Sequence, residues 1–210
     1  FSGNSADAGG AIRGCVVVGD GIASDEVMLE IPRKLLICPP LCLGCGALRR
    51  VYAENQAIFK GDHDSVLAVF LMRERLQGDA SFWKPYLDIM PWPGGVGDWT
   101  DEELAELQDP VLLDEARRRT PTLRRAWRRV LERCGPDRFP EAGISEANGY
   151  SFGLYRWAWM SIQARAFGRR LPWTAMVPFA DCLNHANVAV KYDFNAKADG
   201  ATAGGGGKVG

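Results

Sequence analysis

Two hydrophobic periods share this chain, and their order limits what it can fold into. Residues 14–31, GCVVVGDGIASDEVMLEI, alternate β-branched and turn residues and read as two short strands joined by a Gly/Asp/Ser turn, closed by Pro32. IPRKLLICPP continues as another short extended piece that ends at Pro39 and Pro40. The period then changes. Residues 65–77 place Val66, Val69, Phe70 and Arg73 at helical spacing, with apolar residues over most of two turns, which predicts a buried helix. Thr100-Asp101-Glu102-Glu103 is a capping-box pattern that opens a helix through about Leu107. Residues 117–133 carry arginines opposite an apolar stripe of Leu123, Trp127, Val130, Leu131 and Cys134. Residues 151–167 align Phe152, Tyr155, Trp159, Ile162 and Ala166 on one helical face. SFWKPYLDIMPWP, aromatic and broken by prolines, reads as a packed loop, and the apolar MVPFADCLNHANVAVKYDF closes the informative part. Short strands, a helical block of about a hundred residues, then short strands again, with no β-α-β alternation, predict an α+β fold: small sheets interrupted by a mostly helical insertion.

Composition narrows the classes. With 210 residues, 47% hydrophobic, and 25 Lys+Arg against 26 Asp+Glu, the chain is no disordered polymer. Its balanced charge gives no global argument for nucleic acid or an anionic membrane. The longest clean apolar run, residues 66–72, is far short of the roughly 20 residues of a membrane span. Six cysteines, three of them between Cys38 and Cys45, do not resemble a secreted disulfide scaffold and favour a reducing, intracellular compartment. The first residue is Phe1, so an upstream segment is expected. Residues 1–10 and 196–210 are Gly/Ala-rich and are expected to be flexible.

Three constellations bear chemistry, each beside a plainer reading. Cys38, Cys42 and Cys45 have a spacing that three irons of a [4Fe–4S] cluster accept, or a zinc ion borrowing His63, against the plainer reading of buried thiols. The eight arginines of 117–133 suit phosphates, yet Glu115 and Glu132 are interspersed, the pattern of a solvated face, so nucleic acid is not favoured. Asp181 and His185, four apart, would share a helix face and suggest a base or ligand pair; a hydrogen-bonded buried histidine is the plainer reading. Two ligands make no metal site, and none is assigned.

Five blocks in order carry a resemblance: RGCVVVGDGIASDEVMLEIPRKLLI, LAVFLMRERLQGDASFWKPYLDIMP, WTDEELAEL, RAF and MVPFADCLNHAN. Together they resemble the SET-domain protein methyltransferases, specifically the class with a long helical insertion typified by the Rubisco large-subunit lysine methyltransferase and the actin-histidine methyltransferase. The most diagnostic element is Asn184-His185 inside the Pro178-x-Ala180-Asp181 stretch. The resemblance implies residues 11–45 as the N-terminal part of the SET domain, 46–150 as the insertion and 151–195 as an incomplete C-terminal part. It implies S-adenosyl-L-methionine as cofactor, cradled by Ala11, Ile12, Arg13 and Gly14 and by Arg165, Asp181, Asn184 and His185. Phe167 and Tyr192 match aromatics of the channel for the target side chain.

The expected activity is methyl transfer to a lysine, less often a histidine, of a protein substrate. The family's essential tyrosine follows the Asn-His motif in a block that the 210 residues do not contain, and an acidic residue common before the first glycine is replaced by Ala11 or Ile12. The chain is therefore expected to be a piece of a longer methyltransferase. The alternative is a non-catalytic interaction module derived from the same fold. Chloroplast, cytoplasm and nucleus all fit the resemblance, and neither substrate nor oligomeric state is legible.

Overall fold

Prolines in this chain begin helices more often than they end them. Pro39 and Pro40 occupy the first turn of α1 (Pro39–Leu43), Pro85 the first turn of α5 (Lys84–Ile89), and Pro110 opens α7 (Pro110–Cys134). A first-turn residue has no intrahelical acceptor for its N–H, and proline's fixed φ already matches the helix. The extended piece does end at Pro39, but there the prolines open a helix, and Arg33–Leu35 within the piece is a 3-10 turn. One expectation is corrected, since the aromatic stretch around Pro85 is a short helix rather than a loop. The computed structural model describes residues 14–19, 21–23, 26–96 and 99–184, with Tyr192 and Phe194. The expected flexible ends, 1–10 and 196–210, lie outside the described residues.

The remaining α-helices are α2 (Arg49–Glu54), α3 (Gln56–Phe59), α4 (His63–Leu76), α6 (Asp101–Ala105) and α8 (Phe152–Arg165). Side-chain caps set their starts. Asp62 accepts the Ser65 amide at 2.9 Å to open α4, and the Thr100–Glu103 box forms reciprocally at α6. Asp109 Oδ1 accepts the Val111 and Leu112 amides at α7. Ser151, centre of a G-x-S-x-G run, turns its hydroxyl to the Leu154 amide and caps α8. Each such cap contributes about 1 kcal/mol by satisfying otherwise orphaned amides.

The core is built on α4 and α8, which form the main helix–helix contact, with α7 laid against α8. The α7 stripe is as expected: Leu123, Trp127, Val130 and Cys134 are buried, and Leu131 packs partly. Trp127 stacks on Tyr155 with ring centroids 5.4 Å apart. The single-face reading of α8 is corrected. Trp157, Ala158, Met160 and Ser161 are buried as well as Tyr155 and Ile162, while Trp159 is half-buried. A helix held between two neighbours buries more than one stripe. No helix among the described residues is long and apolar enough to cross a membrane.

Sheet structure is sparse. Two isolated antiparallel bridges, Ile37 with Met176 and Phe167 with Ala175, are the ladder contacts among the described residues, and no strand is found there. The hairpin expected over 14–31 does not form among the described residues of that stretch. Val16, Val18 and Val27 are 84%, 93% and 78% exposed. Their β-branched side chains favour strands only where a neighbouring strand gives them something to pack on. Beneath the bridges, Leu36, Cys38 and Ala175 form a second small core, flanked by Ile31, Leu171, Trp173, Val177 and Phe194.

The three-cysteine motif is divided between the cores, Cys42 and Cys45 in the main one and Cys38 in the second. Cys38 and Cys42 are buried, and Cys42 is fully enclosed. Burial pushes both thiols up, with the neighbouring Cys38 and Cys45 adding to the rise at Cys42. His63 turns Nδ1 to the Thr174 amide at 3.4 Å. Among the described residues no three His, Cys, Asp or Glu side chains are arranged to hold a metal ion.

Two outcomes follow from this core. Leu71→Ala, at a fully buried α4 position, is expected to lower unfolding free energy by about 3 kcal/mol in a urea titration monitored by tryptophan fluorescence. In native protein at pH 8, iodoacetamide is expected to label the half-buried Cys15, Cys45 and Cys182 first, while Cys42 and Cys134 react only on unfolding. Burial pushes Cys134 up to about 12, so almost none of it is thiolate at that pH. Mass mapping of the labelled peptides reads the order.

Candidate functional site

The end of α8 and the segment after it bring most of the sequence-derived residues together. Arg165, the last residue of α8, sends Nη1 to Asp181 Oδ2 at 3.0 Å. Asp181 sits on a single 3-10 turn, Ala180–Cys182, with its side chain 1% exposed. A carboxylate that is almost dry needs donors on its oxygens. The second comes from an unexpected quarter: Tyr86, on α5, donates its hydroxyl to the same Oδ2 at 2.7 Å. Burial first, then the adjacent Asp181 charge, pushes the Tyr86 phenol far above its ordinary range, so it remains a donor.

Asp181 and His185 do not share a helix face. The turn ends at Leu183, whose φ and ψ of -63° and 140° are extended, and this overturns the premise of a helical pair. His185 itself lies outside the described residues, as do Ala11, Ile12 and Arg13. Just before the turn, Phe179 has φ of 74°, the one non-glycine residue with positive φ among those described. An L residue with that bulk avoids the left-handed region unless its surroundings impose it.

The N-terminal segment crosses this loop at Asn184. The Asn184 amide Nδ2 donates to the Cys15 carbonyl at 2.8 Å, and the Cys15 thiol points back to the Cys182 carbonyl at 3.7 Å. Gly14 lies so close to the Asn184 side chain that a methyl group there would overlap its amide oxygen. A side chain at position 14 would displace the Asn184 amide, and Gly14 and Asn184, 170 positions apart, are direct neighbours.

Phe167 follows α8 by two residues and is fixed through both backbone hydrogen bonds of its bridge to Ala175, at 2.8 and 2.9 Å. Its ring meets Tyr192 edge to face, centroids 5.5 Å apart at 85°. The two aromatics singled out in the sequence thus form one wall, half-buried and beside Arg165. Tyr86 was missed. It lies 95 residues from its partner in an aromatic stretch, and the only available signal was general: a tyrosine within an apolar run needs somewhere to put its hydroxyl.

Tyr86→Phe should lower stability by about 1–2 kcal/mol, since Asp181 keeps Arg165 as a donor. Asp181→Asn should lower it more, by about 2–3 kcal/mol, because it leaves the half-buried Arg165 guanidinium without its counter-charge. Chemical denaturation of the two variants reads the order of the losses; equal losses would contradict the arrangement.

No family model matches the chain. Among curated proteins, the chloroplastic [fructose-bisphosphate aldolase]-lysine N-methyltransferase of Arabidopsis thaliana is 27% identical over 190 residues, covering 85% of this chain and 36% of the relative. The chloroplastic ribulose-1,5 bisphosphate carboxylase/oxygenase large subunit N-methyltransferase of Pisum sativum is 28% identical over 185 residues, covering 86% and 35%. Among solved structures, the SET domain of Rubisco LSMT bound to lysine and AdoHcy superposes with a TM-score of 0.67 at 24% identity, over 82% of this chain and 37% of that one. The chain spans about a third of the length of the curated relatives it matches. In sequence this chain is similar to chloroplastic lysine and Rubisco large-subunit methyltransferases, and its backbone has the fold of the LSMT SET domain.

Proposed function

We propose that the chain is the cofactor-binding part of a SET-type protein-lysine N-methyltransferase that uses S-adenosyl-L-methionine. The observation that carries this reading is the convergence of Gly14, Arg165, Asp181 and Asn184 from distant parts of the sequence on one crossing. The α+β division belongs to the same proposal: residues 11–45 and 151–195 form the SET part and 46–150 the helical insertion. Lysine is proposed ahead of histidine as acceptor, since two of the relatives named above are lysine or Rubisco large-subunit methyltransferases.

The residues present fit the cofactor. Arg165 gives only Nη1 to Asp181, so a half-buried guanidinium retains donors suited to a carboxylate. The side-chain-free Gly14 lets the backbone approach closely. When bound, S-adenosyl-L-methionine supplies an electrophilic sulfonium methyl. The protein's part is to orient and to exclude water. Arg165 and Asp181 hold one another, Asn184 locks the N-terminal segment over the loop, and the bridge at Phe167 sets the position of its ring. Phe167 and Tyr192 form the wall along which an acceptor lysine lies, and an apolar wall favours the neutral amine that the reaction needs. His185, Ala11, Ile12 and Arg13 are assigned to the same cofactor site from the family resemblance.

Titration with S-adenosylhomocysteine, followed by tryptophan fluorescence, tests the reading. Saturable binding is expected, with at least a tenfold loss in Asn184→Ala, about 1.4 kcal/mol or more. Binding that Asn184→Ala leaves unchanged would remove Asn184 from the site. Absence of binding in the wild-type chain would favour the non-catalytic module.

A further inference from the structure

We propose that the groove between α7 and α8 docks an acidic segment of the protein substrate, one that flanks the methylated residue and carries an apolar side chain. The identity of the occupant as substrate rests on the methyltransferase reading above; the groove and its charge do not.

Between α7 and α8 lies an open groove of about 430 Å³ lined by Glu115, Arg118, Arg119, Thr122, Leu123 and Trp159. Its floor is apolar: Leu123 is buried and Trp159 half-buried. Its rim is basic. Arg118 and Arg119 line it, and on a helix of 3.6 residues per turn Arg125 and Arg129 continue the row of Arg118, which spans eleven residues or about 16 Å. Arg117, Arg124 and Arg128 form a separate row about 100° away. The solvent side of α7, with eight arginines against Asp114, Glu115 and Glu132 in a chain whose net charge is -1, is thus net positive, which an acidic partner complements.

The neutralisation already present is weak. Arg118 pairs with Asp114, and Arg119 with Glu115 at 2.5 Å, both one turn back on the same helix and largely solvated. Exposed pairs of this kind contribute little and exchange readily for a better-placed carboxylate. Two guanidiniums are held against rings, Arg124 at 4.2 Å from the Phe152 centroid and Arg119 at 5.8 Å from that of Trp159. A guanidinium stacked in this way keeps the N–H groups along its edges available for a carboxylate.

Location ties the groove to the site. Trp159 and Arg165 are both on α8, six residues or about 9 Å apart along the axis. An extended peptide advances about 3.3 Å per residue, so a segment seated on Trp159 reaches the Phe167–Tyr192 wall within about three to six residues. A nucleic-acid base stacks on a ring such as Trp159, but the aliphatic Leu123 beside it, the Glu115 carboxylate in the lining and the chain's net charge of -1 favour a short peptide over a nucleic-acid polyanion.

The test uses the full chain and a fluorescein-labelled decapeptide of Asp and Glu around one Phe, read by anisotropy. A peptide with Lys in place of every acid and a single-stranded DNA decamer serve as comparisons. Saturable binding of the acidic peptide is expected. It should weaken at least tenfold in Arg118→Glu/Arg119→Glu/Arg125→Glu, which should instead gain affinity for the Lys peptide. S-adenosylhomocysteine affinity within twofold of wild type would show the triple variant to be folded. Equal peptide affinity in both proteins, no saturable binding of the acidic peptide by wild type, or tighter binding of the DNA through the same arginines would overturn the proposal. Arginine-dependent peptide binding without any S-adenosylhomocysteine binding would support the groove and count against the methyltransferase reading.

Discussion

The ion pair between Arg165 and Asp181 is the joint on which the candidate site depends. A carboxylate with a 1% exposed side chain has lost nearly all its hydration, so its position is dictated by whatever donates to it. Arg165 comes from the last turn of α8, where a cation is also favoured by the helix's own partial negative charge. Because α8 is gripped by α4 and α7, the guanidinium has little freedom, and the short 3-10 turn carrying Asp181 inherits that rigidity. Tyr86 closes the arrangement from α5. Three segments with no mutual secondary structure are thus registered to one another through a single carboxylate oxygen.

From this joint the rest of the crossing follows. The Asp181 turn is entered through Phe179 in a left-handed conformation, strain of order 1–3 kcal/mol that only a tightly held loop sustains. It leaves through an extended Leu183, which aims Asn184 at the Cys15 carbonyl. Since the hairpin residues around Val16 and Val18 lack a strand to pair with among the described residues, the Asn184 amide and the Cys15 thiol are what tie that stretch to the loop. Steric demand at Gly14 then sets how closely the two pass. The order of causes is the buried pair, the turn it holds, and the crossing that the turn presents.

How much of this was legible depended on whether the controlling contact was local. Helical spacing and caps act within a few residues, so α4, α6, α7 and α8 could be read as helices, with the buried stripe of α7 and the reciprocal Thr100–Glu103 box. Proline punctuates in either direction. Nothing within IPRKLLICPP distinguishes a stop from a first turn, because that depends on whether Pro40 and Leu41 have a core to pack towards. The 14–31 strands failed for a related reason: β-branched residues report a preference whose realisation requires a partner strand. At the site, Phe167 and Tyr192 meet, Arg165 pairs with Asp181, and Gly14 lies against Asn184. The helical spacing that suggested Asp181 with His185 is not present, since the chain is extended at Leu183. Tyr86 could not be found by any local rule, since its hydrogen bond spans 95 residues.

That long-range hydrogen bond also bears on how the two kinds of structure relate. Tyr86 lies in the helical stretch that the sequence pattern reads as an insertion, yet its hydroxyl is one of the two strong donors to the carboxylate at the heart of the crossing. Ser65 and Asp64 on α4 add further ties to α8, through Tyr155 at 3.4 Å and Gln163 at 2.6 Å. An appendage attached to a finished domain would leave the domain's buried charges satisfied without it. Here the helical block supplies part of that satisfaction and most of the apolar surface that fixes α8. The block and the crossing therefore form one cooperative unit, in which any change that loosens α5 or α4 is transmitted to Asp181 and, through its turn, to Asn184. The arginine face of α7 is the exception. Its charges satisfy nothing buried, so selection on that face is free to follow whatever binds there without disturbing the site it adjoins.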